Sequence, residues 1–206
     1  MNKQSKISLT VNRKDKQNTY MRLLSRYKLA IKHEFYFEAL LIVYAFLEDR
    51  LFSYLYYIGA IERHDSKRYS KRTKQHLINI ITQITGKDKN NLSISRIGDK
   101  MLIAESTLKW ADDVTTTDND YYTVLKHALL GIDIGGMIEV LEKIKVWLNY
   151  RNEIVHAAMK KNFDDMHNKL EKIVSDGMEY GRYIDSQVKV LKKSNIIRRK
   201  MKMGNQ

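Results

Sequence analysis

Arg151, Asn152 and His156 stand close together in the stretch Tyr150-Arg151-Asn152-Glu153-Ile154-Val155-His156. They bring a permanent guanidinium charge, a carboxamide and an imidazole into one short segment. An imidazole exchanges protons near neutrality and so serves as a general acid or base. A guanidinium presents a planar fork of N–H donors that matches a phosphate. At about 100° per residue, Asn152 and His156, four apart, share a helix face within about 40°. Arg151 and His156, five apart, diverge by about 140° in mid-helix and converge only if Arg151 sits in a first turn. Asn149 is a suitable N-cap for such a start, and Glu153 complements the positive end of its dipole. A helix N-terminus carrying an arginine suits phosphate. In the structural alternative, Arg151 pairs with Glu48 or Asp49 inside a bundle and His156 is a hydrogen-bonded core histidine.

The elements that must position these residues read as helices. Met21, Leu24, Tyr27 and Ile31 recur at helical spacing from about Asn18. Phe35–Ile58 is apolar around most of its circumference, which makes it the central buried helix, and Gly59 is a natural C-cap. Glu62–Thr73 is a basic connector. Helices are expected over Lys74–Thr85, closed by Gly86, and over Met101–Ala111, Tyr121–Leu130 and Met137–Leu148. The segments Asn149–Lys161 and Phe163–Lys193 complete the chain. Lys87–Lys100 and Asp112–Asp120 read as loops, and the Gly131–Gly136 stretch as a hinge without a phosphate-loop pattern. The division is a polar arm (1–17), a helical domain (18–195) and a basic tail (196–206).

Arg-Asn-x-x-x-His in this setting resembles the Arg-x(4–6)-His signature of HEPN domains. A long apolar helix bearing an acidic pair, here Glu48 and Asp49, precedes the motif in an all-α chain, as in that family. The resemblance implies an antiparallel helical bundle with additional helices and basic termini. It also implies a metal-independent endoribonuclease, a homodimer whose two motifs share one site, and a role as a toxin or anti-phage effector, with an antitoxin or regulator as a further partner. Arg151 would then hold the scissile phosphate, His156 move a proton and Asn152 orient one or the other. Glu48 and Asp49, charges that interrupt an apolar helix, read either as support for Arg151 or as members of an ion pair or a solvent-facing stripe. The RNA's own 2′-hydroxyl would be the nucleophile, so no cofactor is expected. Ala158 stands where HEPN toxins controlled by tyrosine modification carry tyrosine, so that form of control is not expected. A degenerate domain that binds nucleic acid or a protein without cutting is the alternative.

The 206 residues contain 0 Pro and 0 Cys, which disfavours an all-β fold and excludes disulfide scaffolds, thiolate metal sites and cysteine nucleophiles. The net charge of +13 is uneven: residues 1–32 carry +8 and residues 182–206 carry +7, leaving −2 between them. Such ends suit a polyanion such as RNA, DNA or an acidic membrane face, with solubility of a Lys-rich chain as the ordinary alternative. Lys189, Lys192, Lys193, Arg198, Arg199 and Lys200 are the expected phosphate contacts, with a solvated helix end as the plain alternative. Acidic residues interrupt the greasiest segment, so no membrane span is expected, and no signal peptide is evident. A cytoplasmic protein is the expectation. His33-Glu34 and His64-Asp65 lack further ligands at metal spacing, and His76, His127 and His167 stand alone. Phe52, Tyr54, Tyr56 and Tyr57 read as core or dimer interface rather than as a base-stacking platform.

Overall fold

The computed structural model describes residues 13–63, 69–88, 91–113, 120–157 and 163–203. Its eight elements are all helices: α1 (Arg13–Lys32), α2 (Tyr36–Tyr57), α3 (Lys74–Thr85), α4 (Ile97–Asp113), α5 (Asp120–Leu129), α6 (Ile134–Ala157), α7 (Phe163–Ser194) and α8 (Ile196–Lys200). An isolated bridge between Ile61 and Tyr69 is the β-type pairing among these residues. The fold is all-α. Most of the expected arm (1–12), His64-Asp65 and Ala158 lie outside the described residues.

Helix α2 runs through the middle, with Leu40, Val43, Leu47, Leu51, Tyr54 and Leu55 excluded from solvent. It ends where the sequence places the stop. Gly59 takes φ 76, the Gly59 N–H donates to the Tyr56 carbonyl at 3.1 Å, and the Ala60 N–H donates to the Leu55 carbonyl at 2.9 Å. This is the paired hydrogen bonding of a Schellman ending, which needs the left-handed residue that glycine supplies. Gly86 closes α3 in the same conformation.

The bundle is not uniformly antiparallel. Lys16–Asp49, Tyr20–Phe46 and Arg26–Glu38 pair α1 against α2 in opposite directions. Helix α7, however, runs parallel to α2: Gly177 meets Val43, Gly181 meets Phe46, and Arg50 pairs with Asp185. This is the most extensive helix pair in the molecule.

Glycine makes it possible. A Cβ on Gly177 would lie 2.6 Å from Val43 Cγ1 and 2.7 Å from the Trp147 indole, and one on Gly181 would lie 2.6 Å from the Phe46 ring. These residues, one turn apart on α7, form a small-residue notch that admits α2 and α6 at close range. The bare surface at Gly177 also leaves the Ile173 carbonyl accessible, and Trp147 Nε1–H donates to it at 2.7 Å.

The expected tail is part of the fold. Ile197 is buried, and its Cγ2 lies 3.0 Å from where a Cβ on Gly59 would stand; Met203 is buried beside it. Residues 196–203 therefore belong to the domain. Two turns before the end of α2, Arg50 is clasped by Asp49 and Asp185 and lies over the Tyr20 and Phe46 rings. Burial pushes the Asp185 carboxyl up, but Lys189 and Arg50 outweigh it and hold the group below its ordinary value.

Gly177→Ala should lower stability by about 1–3 kcal/mol, because the added methyl has no room. Gly98→Ala, where a Cβ meets nothing within 4 Å, should not destabilise. Urea denaturation of both variants checks this.

Candidate functional site

The motif lies at the opposite end of its helix from the one expected. Helix α6 is continuous from Ile134 to Ala157, so Asn149 is mid-helix and caps nothing. The apolar stripe explains the continuity: Ile144, Trp147, Leu148, Ile154 and Val155 face inward at three- and four-residue steps. Arg151 occupies the next position of that stripe, one turn beyond Trp147. Reading it as a polar residue conceals a seam that never breaks. Arg151 and His156 thus sit near the carbonyl end of a helix, whose partial negative charge attracts cations rather than phosphate. Any phosphate here must be held by side chains.

Arg151 is half-buried. Its guanidinium lies over the Tyr44 ring of α2, 4.4 Å from the centroid, and Nη1 donates to Asn152 Oδ1 at 3.0 Å. Its Nε is enclosed and unpaired. Asn152 and His156 are exposed. On a continuous helix, Arg151 and His156 diverge by about 140°, and Asn152, about 100° from Arg151, lies between them. The Arg151–Asn152 hydrogen bond joins those two side chains, and His156 stands apart from the guanidinium on the helix surface, so the convergence expected from a helix start is absent.

Tyr44, Glu48, Arg96, Asp99, Glu105, Lys145, Asn149 and Asn152 are among the residues lining an open cleft of about 870 Å³ between α2, α4 and α6. Burial raises the Tyr44 phenol, the Glu48 charge adds to this, and Arg151 opposes it. Glu48 does not pair with Arg151. It accepts from the buried Lys100 Nζ at 2.7 Å, an ammonium that needs a counter-charge where it stands. Glu105 binds Lys109 at 2.7 Å and Lys145 at 2.6 Å, and these cations hold its carboxyl low against the opposing effect of burial.

No family model matches the chain, and no curated protein or solved structure matches it. Among the described residues, no helix is long and apolar enough to cross a membrane, and no group of three or more His, Asp or Glu side chains is placed to hold a metal ion.

Asp49 is not part of the site. It turns to the α1 side of α2, where Lys16 Nζ approaches at 2.8 Å and Arg50 completes the pair. Its expected role beside Arg151 is corrected accordingly. Of the expected phosphate contacts, Lys192, Lys193, Arg199 and Lys200 are exposed, whereas exposed Lys189 is paired with Asp185 at 2.8 Å. Arg198 is buried and has to be removed from the set. Its guanidinium donates to the carbonyls of Tyr56 (3.2 Å), Ile61 (3.0 Å) and Glu62 (2.8 Å) and lies 3.7 Å from the Tyr56 ring centroid. It satisfies the carbonyls around the end of α2, and burial lowers its pKa from the ordinary value. Charge density along the sequence does not distinguish such an arginine from its exposed neighbours.

Sequence reasoning missed Tyr44, Lys100 and the cleft. Tyr44 was within reach, since it stands four residues before Glu48 on the same face of α2. Replacing Arg198 with Ala should cost about 3 kcal/mol, because three carbonyls lose a charged donor together. Arg199→Ala should stay within about 0.5 kcal/mol of wild type. Equilibrium unfolding in urea reads both.

Proposed function

We propose that the chain is a metal-independent endoribonuclease that cuts RNA by attack of the RNA's own 2′-hydroxyl. The observation that carries the reading is the hydrogen-bonded Arg151–Asn152 pair leading round α6 to exposed His156. It supplies a phosphate-binding fork, half-buried against Tyr44, and, about 140° further round the helix, an exposed proton-transfer group, the two residue types that the HEPN-like motif pairs.

In this mechanism an imidazole takes the 2′-hydroxyl proton while that oxygen bonds to phosphorus. The bond to the 5′-oxygen breaks, and that oxygen receives a proton from a second acid. The products are a 2′,3′-cyclic phosphate and a 5′-hydroxyl, and no water is consumed. Arg151 stabilises the charge that gathers on the non-bridging oxygens. Asn152 holds the guanidinium. One chain offers one such histidine, so a homodimer with two facing His156 side chains completes the acid–base pair. DNA, which lacks the nucleophile, is resistant. An anti-phage or toxin effector, answered by an antitoxin or regulator, is the role this activity fits, and the cytoplasm is where it meets its substrate.

A binding module without chemistry is the second reading. The half-buried Arg151, already engaged by Tyr44 and Asn152, favours it. The readings separate with purified protein and single-stranded RNA in excess EDTA. Cleavage by wild type should fall at least about 100-fold in His156→Ala. Arg151→Lys should lose most activity because it keeps the charge but not the fork. Wild-type protein that binds RNA but leaves it intact establishes the binding module.

A further inference from the structure

The fold welds two basic segments far apart in the sequence into one face. The connector after α2 returns at Ile61 and Tyr69, and the Ser70 N–H donates to the Ala60 carbonyl at 3.0 Å. Thr73 Oγ1 donates to the Gly59 carbonyl at 2.6 Å. The chain end lies across the same place. Arg198 reaches the carbonyls of Ile61 and Glu62, and Arg72 Nη1 donates to the carbonyls of Met201 and, at 3.1 Å, Lys202. These bonds fix the main chain of both segments while leaving the flanking side chains outside.

Lys71, Arg72, Arg199, Lys200 and Lys202 are exposed there, with Lys192 and Lys193 just before α8. Among the described residues of these segments, Glu62 is the one acidic side chain, and none of these seven cations is in an ion pair. The contrast with cations elsewhere in the bundle is one of charge balance. Lys16, Arg26, Lys100, Lys145 and Lys189 each face a carboxylate. A rigid cluster of unneutralised cations repels itself unless a polyanion covers it.

We infer that this composite face, built from the connector at Lys71–Arg72 and the chain end at Arg199–Lys202, binds the phosphate backbone of RNA. It lies at the end of α2 remote from Arg151: Tyr44 and Tyr56 are twelve residues apart on that helix, about 18 Å along its axis. The face therefore acts as a second contact that holds a strand without reading its sequence. The inference takes RNA from the proposed activity but requires no cleavage. It adds Lys71, Arg72 and Lys202 to the phosphate contacts and excludes Arg198, whose role is to anchor the chain end.

The test measures binding apart from cutting. A fluorescent 2′-O-methyl RNA of about 20 nucleotides keeps the phosphates and lacks the attacking hydroxyl. Its affinity for the full chain is followed against salt. Replacing Lys71, Arg199, Lys200 and Lys202 together by Gln should weaken binding at least about tenfold and reduce the slope of log K against log salt by about 3, at roughly 0.7 per lost contact. If circular dichroism shows that this variant is unfolded, Lys71→Gln with Lys200→Gln and Lys202→Gln should reduce the slope by about 2. The control replaces Arg22, Lys28, Lys32 and Lys87 by Gln, an equal loss of charge placed elsewhere. An equal loss of affinity in the control overturns the inference, as does an unchanged slope in the face variant. Vesicles of phosphatidylserine in phosphatidylcholine are run alongside, and vesicle binding lost in the face variant with RNA affinity unchanged also overturns it. Cleavage of ordinary RNA by a face variant that binds normally removes the face and leaves the proposed activity standing. Lost binding without any cleavage by wild type does the reverse.

Discussion

The absence of a side chain at Gly177 governs where the motif can be. Val43 from α2 and Trp147 from α6 converge on that position, and any Cβ would overlap both. The Trp147 indole then donates to the Ile173 carbonyl one turn earlier on α7. Three helices are thereby fixed at one point without a polar network among their side chains. Arg151 lies one turn beyond Trp147 on the same stripe of α6, and Tyr44 follows Val43 on α2. The stacking of the guanidinium on the phenol is thus a consequence of the glycine notch, and Asn152 and His156 follow from the turn of the helix.

Much of this fold was legible in the sequence. Helix α3 has the boundaries that its apolar spacing and Gly86 indicate, and α2 ends at Gly59 for the reason the sequence suggests. Those signals are local, since a left-handed C-cap is decided by one residue. The parallel packing of α2 on α7 was not legible. Gly177 and Gly181 carry its signal, but which helix enters a small-residue notch is settled by tertiary packing. The break expected at Asn149 fails for a related reason. Asn149 faces an open cleft, where its low helix propensity costs little. Meanwhile Leu148, Ile154 and Val155 keep α6 attached to its neighbours.

The charged residues show most clearly where sequence reasoning ends. Glu48 and Asp49 are adjacent, yet helix geometry sends one to Lys100 at the cleft and the other to Lys16 and Arg50 on the α1 side. Arg198 and Arg199 are adjacent too, and one is buried among carbonyls while its neighbour is exposed. A basic run reports net charge; only the fold reports which charges face water. The cluster near Tyr56 is separate from Arg151. On the proposed reading, the Arg151 site carries the groups for bond breaking and the cluster near Tyr56 contributes charge alone.

The ends of the products test most directly how the proposed nuclease breaks a ribose-phosphate linkage. An all-ribose strand incubated with the protein in EDTA should yield 2′,3′-cyclic phosphate and 5′-hydroxyl ends. The same strand with one 2′-deoxy nucleotide should stay whole at that linkage. Products ending in 5′-phosphate, or cutting at the deoxy position, would contradict the account, because neither arises from attack by the neighbouring hydroxyl.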